Sequence, residues 1–204
     1  MRPILVSYTP LDDSTTYFAT GLTGATGVLT TFAVTDSLAH NVTLTSLANL
    51  SGITMTVTGL DADGQAQTEA ITGPNANTVA GSKFFSRLDT ITFGSTLGAS
   101  TMDVGIKDVA VSQTIPVNRL QVAFNLTEMV AVTGTINYSL QYTEQDIYAA
   151  SPATLVWFTH ATIASKTASI DGVTTSPIQA VRLLLNSLTA GATISLTLLQ
   201  GLGR

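Results

Sequence analysis

Asp61 and Asp63, with Gly64 behind them and Glu69 five residues further on, put three acidic side chains within nine residues. The chemistry they suggest is calcium binding. An EF-hand loop needs oxygen side chains at its first, third and fifth positions, a turn glycine at the sixth and a bidentate glutamate at the twelfth. Here the glycine stands fourth and the glutamate ninth, and the flanking segments alternate like strands, so the residues read as an Asp/Gly hairpin turn. The two histidines, His40 and His160, sit in no nucleophile or zinc motif such as G-x-S-x-G or H-E-x-x-H. His160 follows Trp157-Phe158-Thr159 and reads as part of an aromatic anchor at a strand end. The glycines of Gly21-Leu22-Thr23-Gly24-Ala25-Thr26-Gly27 match neither G-x-G-x-x-G nor a P-loop and read as a turn-forming loop. Paired carboxylates for glycoside chemistry need sugar-stacking aromatics beside them. Aromatics are 6% of the chain with one tryptophan, leaving Tyr8, Tyr17, Tyr148 and Trp157 as the supply. No catalytic, cofactor-binding or metal-ligating residue is assigned, no cofactor is implied, and the chain is not expected to be an enzyme.

Composition sets the class. Charged residues make up 10% of the 204-residue chain, against about 25% in an ordinary globular domain. Threonine supplies 35 residues, a β-branched hydroxyl side chain suited to a pleated surface that meets water or another protein. A thinly charged, Thr-rich β chain meets few like-charge penalties when its surface is covered, which suits a packed assembly. The net charge is −5, with Lys83, Lys107, Lys166 and five arginines scattered singly. Nucleic-acid binders cluster such residues against phosphates, so no nucleic-acid partner is expected. With no cysteine, disulfides and thiolate metal sites are excluded. The stretch Ile4-Leu5-Val6 is too short for a signal-peptide core, and no apolar run approaches the ~18 residues of a membrane span.

The elements that would position any site are strands. Ile53-Thr54-Met55-Thr56-Val57-Thr58 alternates cleanly, Thr68–Thr72 reads as its partner, and Gly59–Gly64 carries the turn chemistry between them. Phe84, Phe85, Leu88, Ile91 and Phe93 supply core, and a short strand is expected at Thr101–Gly105. In the second half, Leu120–Leu126 and Gly134–Thr143 alternate. Pro177–Leu185 reads as a buried strand that turns through Asn186–Gly191 into a closing strand at Ala192–Gln200. Helical period is confined to Leu44–Leu50 and Gln145–Ala150. Short strands separated by turns predict an all-β fold, an antiparallel β-sandwich or jelly roll. The pattern breaks near residues 107–118, which predicts sandwiches over 1–110 and 111–204, or one continuous domain.

Two stretches carry a resemblance. Gly52–Gly64, continuing through Thr68-Glu69 to Gly81-Ser82-Lys83-Phe84-Phe85, resembles a T-V-T-G-x-D-x-x-G…T-E…G…F pattern of tailed-bacteriophage virion structural proteins. Gly134–Thr143, Trp157–His160, Pro177–Leu185 and Leu198-Leu199-Gln200 follow in an order similar to the same group. The resemblance implies a non-enzymatic virion protein, with no catalytic or binding residues to carry over. A capsid decoration or cement protein is favoured, a homo-oligomer partnered by the major capsid protein or other virion proteins and assembled in the host cytoplasm. The alternatives are a tail, head–tail junction or fibre-base protein, or a carbohydrate-binding β-module.

Overall fold

The computed structural model describes residues 3–24, 26–27, 29–120, 124–149 and 154–201. Every extended element among them is a β-strand, and the strands pair antiparallel. Two compact units form, Asp12–Ala110 and Met1–Leu11 with Val111–Arg204. The first strand, β1 (Ile4–Tyr8), therefore lies with the C-terminal half and not with the residues that follow it.

The Asp12–Ala110 unit contains β2 (Ser14–Leu22), β3 (Thr26–Gly27), β4 (Ala39–Thr45), β5 (Thr54–Leu60), β6 (Ala66–Thr72), β7 (Thr78–Phe85), β8 (Arg87–Phe93) and β9 (Met102–Val111). They form two four-stranded layers, β2-β9-β4-β7 and β3-β8-β5-β6. The alternation of β5 buries Met55 and Val57 fully, and Phe18, Val42, Leu44, Phe85, Leu88, Ile91, Val104 and Ile106 complete the core. On the opposite face of β5 the threonines meet threonines of β8, the hydroxyls of Thr58 and Thr90 standing 2.6 Å apart. Such cross-strand pairs stabilise a sheet by about 0.2–1 kcal/mol each. The expected β5–β6 hairpin is present, in register from Thr54↔Thr72 to Leu60↔Ala66.

The second unit adds β10 (Ile115–Pro116), β11 (Leu126–Thr133), β12 (Ile136–Thr143), β13 (Phe158–Thr159), β14 (Ile170–Thr174), β15 (Ala180–Leu188) and β16 (Thr193–Gln200). One layer runs β1-β16-β11-β14. The other holds β13-β12-β15, with β10 on β15. Buried Leu126, Val130, Ile194, Leu196 and Leu198 line the first layer, and Ile136, Tyr138, Leu140, Val181, Leu183 and Leu185 the second. This is an antiparallel β-sandwich in which the apolar inner faces of the layers meet.

Four expectations are corrected. β15 and β16 do not form a hairpin: β15 pairs with β12 while β16 pairs with β1 and β11. The turn between them is a corner from one layer to the other, beside the β11–β12 corner, and Thr189 N–H donates to the Thr135 carbonyl at 3.0 Å. The strand expected at Leu120–Leu126 instead begins at Leu126. Leu120 is exposed in a turn, and residues 121–123 lie outside the described residues. Neither helical segment forms: Leu44 and Thr45 end β4, residues 147–149 are turn, and Ala150 lies outside the described residues. Trp157 and Phe158 are not a core anchor. Phe158 is half exposed, and Trp157 packs under the Arg182 guanidinium at 4.2 Å.

Candidate functional site

The Asp61 group is a turn. Asp61 Oδ1 accepts the N–H groups of Asp63 at 2.9 Å and Gln65 at 2.8 Å, the use an Asp side chain serves when it organises its own backbone. Glu69 is elsewhere, on the inward side of β6. Its Oε1 accepts from Ser82 N–H at 2.6 Å and Ser82 Oγ at 2.8 Å, and both carboxylate oxygens lie within reach of Lys83 N–H. The Thr68-Glu69 and Gly81-Ser82-Lys83 parts of the sequence pattern thus meet as a clamp between β6 and β7.

His40 is fully buried on β4. Its Nδ1 contacts the Lys107 carbonyl at 2.6 Å and its Nε2 contacts Asp36 Oδ2 at 2.8 Å. Both ring nitrogens are thus engaged within the fold. Gly21, near the end of β2, and Gly24, in the turn after it, hold φ of +65° and +83°. Residue 25 of that loop lies outside the described residues.

His160 belongs to the second unit and stands near a buried carboxyl, that of Glu128, which sequence reasoning missed. β11 pairs Glu128 with Gly172 of β14. A side chain at Gly172 would fill the space taken by His160, whose Cε1 lies 3.1 Å from where the Cβ would stand. Glu128 is fully buried, and neither carboxylate oxygen makes a hydrogen bond; the Thr174 hydroxyl beside it is likewise unpaired. Burial pushes the Glu128 carboxyl above the ordinary carboxylate range, outweighing the opposite pull of the His160 ring. His160 Nδ1 lies 3.1 Å from the Thr162 hydroxyl, two residues along the same turn. A pocket of about 300 Å³ opens beside the group, lined by Tyr142, Glu144, His160, Thr162, Thr174 and Ile178 among others. Among the described residues no group of three or more His, Cys, Asp or Glu side chains is placed to hold a metal ion.

The aromatics weighed for glycan stacking do not converge. Tyr8 is buried, Tyr17 is partly buried, Trp157 is covered by Arg182, and Tyr148 is 80% exposed beside Arg119 and Leu120.

The outward face of the β1-β16-β11-β14 layer is of another kind. Leu5 opposes Thr197, which opposes Met129; Leu199 opposes Thr127, which opposes Val173. Leu5 is 65% exposed, and Met129, Val173 and Leu199 are each about half exposed (48%, 50% and 48%). These four side chains cross all four strands, with threonines between them and Asp171 as the sole charge in these rows. Single exposed apolar residues are ordinary, whereas four on one face of a thinly charged sheet give a partner apolar area to cover. Leu5 and Leu199 lie here, whereas Leu198 is buried in the core.

No protein-family model matches the chain, and no curated protein is similar to it.

Proposed function

We propose that this chain is a non-enzymatic structural protein of a tailed-phage particle, carried on the head as a decoration or cement subunit. The observation behind it is the outward face of the β1-β16-β11-β14 layer, where Leu5, Met129, Val173 and Leu199 stand exposed among threonines. Fully covering a large apolar side chain returns about 1.5–3 kcal/mol, and half-covered ones correspondingly less. A face of this kind is stable in a packed shell and costly in water. The low charge of the chain supports the same reading, because a neighbouring subunit meets few ions to desolvate. The clamp of Glu69 on Ser82 and Lys83 gives part of the phage-like sequence pattern a structural role.

Quantitative mass spectrometry of purified particles, with imaging to locate the subunit, tests the proposal. A decoration subunit is expected on the order of hundreds of copies in a closed symmetric head. About a dozen copies or fewer moves the protein to the tail or head–tail junction. Absence from particles overturns the virion reading altogether.

A further inference from the structure

We propose that β1 is the edge through which two copies of this chain pair, antiparallel and about a two-fold axis, joining their β1-β16-β11-β14 layers into one continuous sheet. This rests on the assembly reading above and names the partner as a second copy.

β1 pairs with β16 on one side and ends the layer on the other. Among the described residues its backbone makes no further strand or loop hydrogen bonds. Natural sheets guard such an edge with charge, proline, a bulge or a cover, because its free N–H and C=O groups will template another strand. The strand at the far side of the layer, β14, carries the charge of Asp171. β1 reads Ile-Leu-Val-Ser-Tyr, with no charge and no interruption. Its inward residues show that the core stops short there. Ile4 is 38% exposed although it stands opposite buried Leu198, and Val6 is half-buried opposite fully buried Leu196. An added strand would cover both.

The occupant is argued from the strand itself. With Val6 on the axis, Ile4 faces the second copy's Tyr8 on the core side and Leu5 faces its Ser7 on the outer side. Apolar meets apolar inside, large meets small outside, and no like charges are opposed. A two-fold axis perpendicular to the sheet keeps inner faces inner, so the contact closes on itself as an isologous pair. The apolar outer groups of the two copies then join across the seam at Leu5.

The chain has no cysteine, so a single one reports cleanly. Directly opposed residues of antiparallel strands have Cα atoms about 4.5–5.5 Å apart, inside the disulfide range of about 4.4–6.8 Å. Val6→Cys is expected to give a disulfide-linked dimer on mild oxidation, while Thr68→Cys on the other unit stays largely monomeric. The unaltered chain should sediment as a dimer, with slowed amide exchange over Ile4–Tyr8 as concentration rises. If Val6→Cys fails to fold, mixing Leu5→Cys with Ser7→Cys makes the same test, since the register sets them opposite. A folded variant that cross-links no better than the control, together with a monomer at every concentration, overturns the pairing. So does protection of β1 only inside particles, which would assign the edge to a different protein. Incorporation into particles is scored separately. A dimer absent from particles overturns the virion reading alone, and a subunit present there with β1 unpaired overturns this inference alone.

Discussion

The Glu69 carboxylate accepts both the backbone N–H and the hydroxyl of Ser82, at 2.6 and 2.8 Å, and so ties β6 to the strand β7 that lies in the other layer of the same unit. Gly81 makes this possible. A Cβ there would stand 2.5 Å from Glu69 Oε2. Removing the carboxylate leaves the donors on Ser82 and Lys83 to find water, so Glu69→Ala should cost about 3 kcal/mol. Gly81→Ala should cost about 1–2 kcal/mol by crowding a carboxylate already held in place. In the Glu69→Ala background only Ile71 Cδ1, 3.0 Å from the new Cβ, still has to give, and Gly81→Ala should cost clearly less. A double-mutant cycle by urea denaturation checks this, and strictly additive losses would remove the clamp as the explanation.

Glu128 sets a pH dependence. Burial raises its carboxyl above the unperturbed value of 4.5. Between 4.5 and the raised value the folded chain therefore binds more protons than the unfolded one. Its contribution to stability is greatest below 4.5 and falls as pH rises through that window. Glu128→Gln imitates the protonated acid. It should melt higher than the parent at pH 7 and lose that advantage in acid below 4.5. His160→Gln removes one of the groups that pull the carboxyl downward, so it should deepen the loss of stability at neutral pH. Thermal melts across pH decide the matter, and a Glu128→Gln variant less stable than the parent at pH 7 would count against it.

What was legible in the sequence was local. Thr54–Thr58 alternates without exception, so the β5–β6 hairpin and its inward Met55 and Val57 could be read directly. β11 was missed because its inward series runs Leu126, Glu128, Val130, Val132, and a glutamate among core positions breaks the pattern that marks a strand. The same residue is the heart of the candidate cluster, which depends on β11 pairing with β14 to bring Glu128, Gly172 and Thr174 together with His160. The partner of β1 was invisible for another reason: Ile4 meets Leu198 across nearly the whole chain. Turn chemistry at Asn186–Gly191 gave a turn but could not say that it crosses between layers.

Asp36 and His40 form a buried pair 2.8 Å apart, with side chains 1% and 0% exposed. Asp36 Oδ1 also accepts the Leu38 N–H at 3.1 Å, so the pair fixes the entry into β4. Losing one partner strands the other in the core. Asp36→Ala or His40→Ala should each cost about 3–5 kcal/mol, and replacing both with leucine should cost less than either single change. Chemical denaturation of the three variants tests the ordering. A double variant weaker than both singles would mean that the pair contributes more than its members' mutual satisfaction.

Met129 and Leu199 separate folding from assembly. Both project from the outward face of their strands and touch water over about half their surface, while their neighbours Val130 and Leu198 build the core. Met129→Lys and Leu199→Lys therefore remove little buried area, and each should change unfolding free energy by only about 0.5 kcal/mol. In a covered face, an introduced ammonium must be desolvated without an opposite charge, which costs several kcal/mol. The expected result is a chain that melts normally yet is lost from particles, most sharply in the double variant. Binding competition against the unaltered chain during particle assembly measures it. Equal incorporation of the lysine variants would show that this face is not the one a neighbour covers.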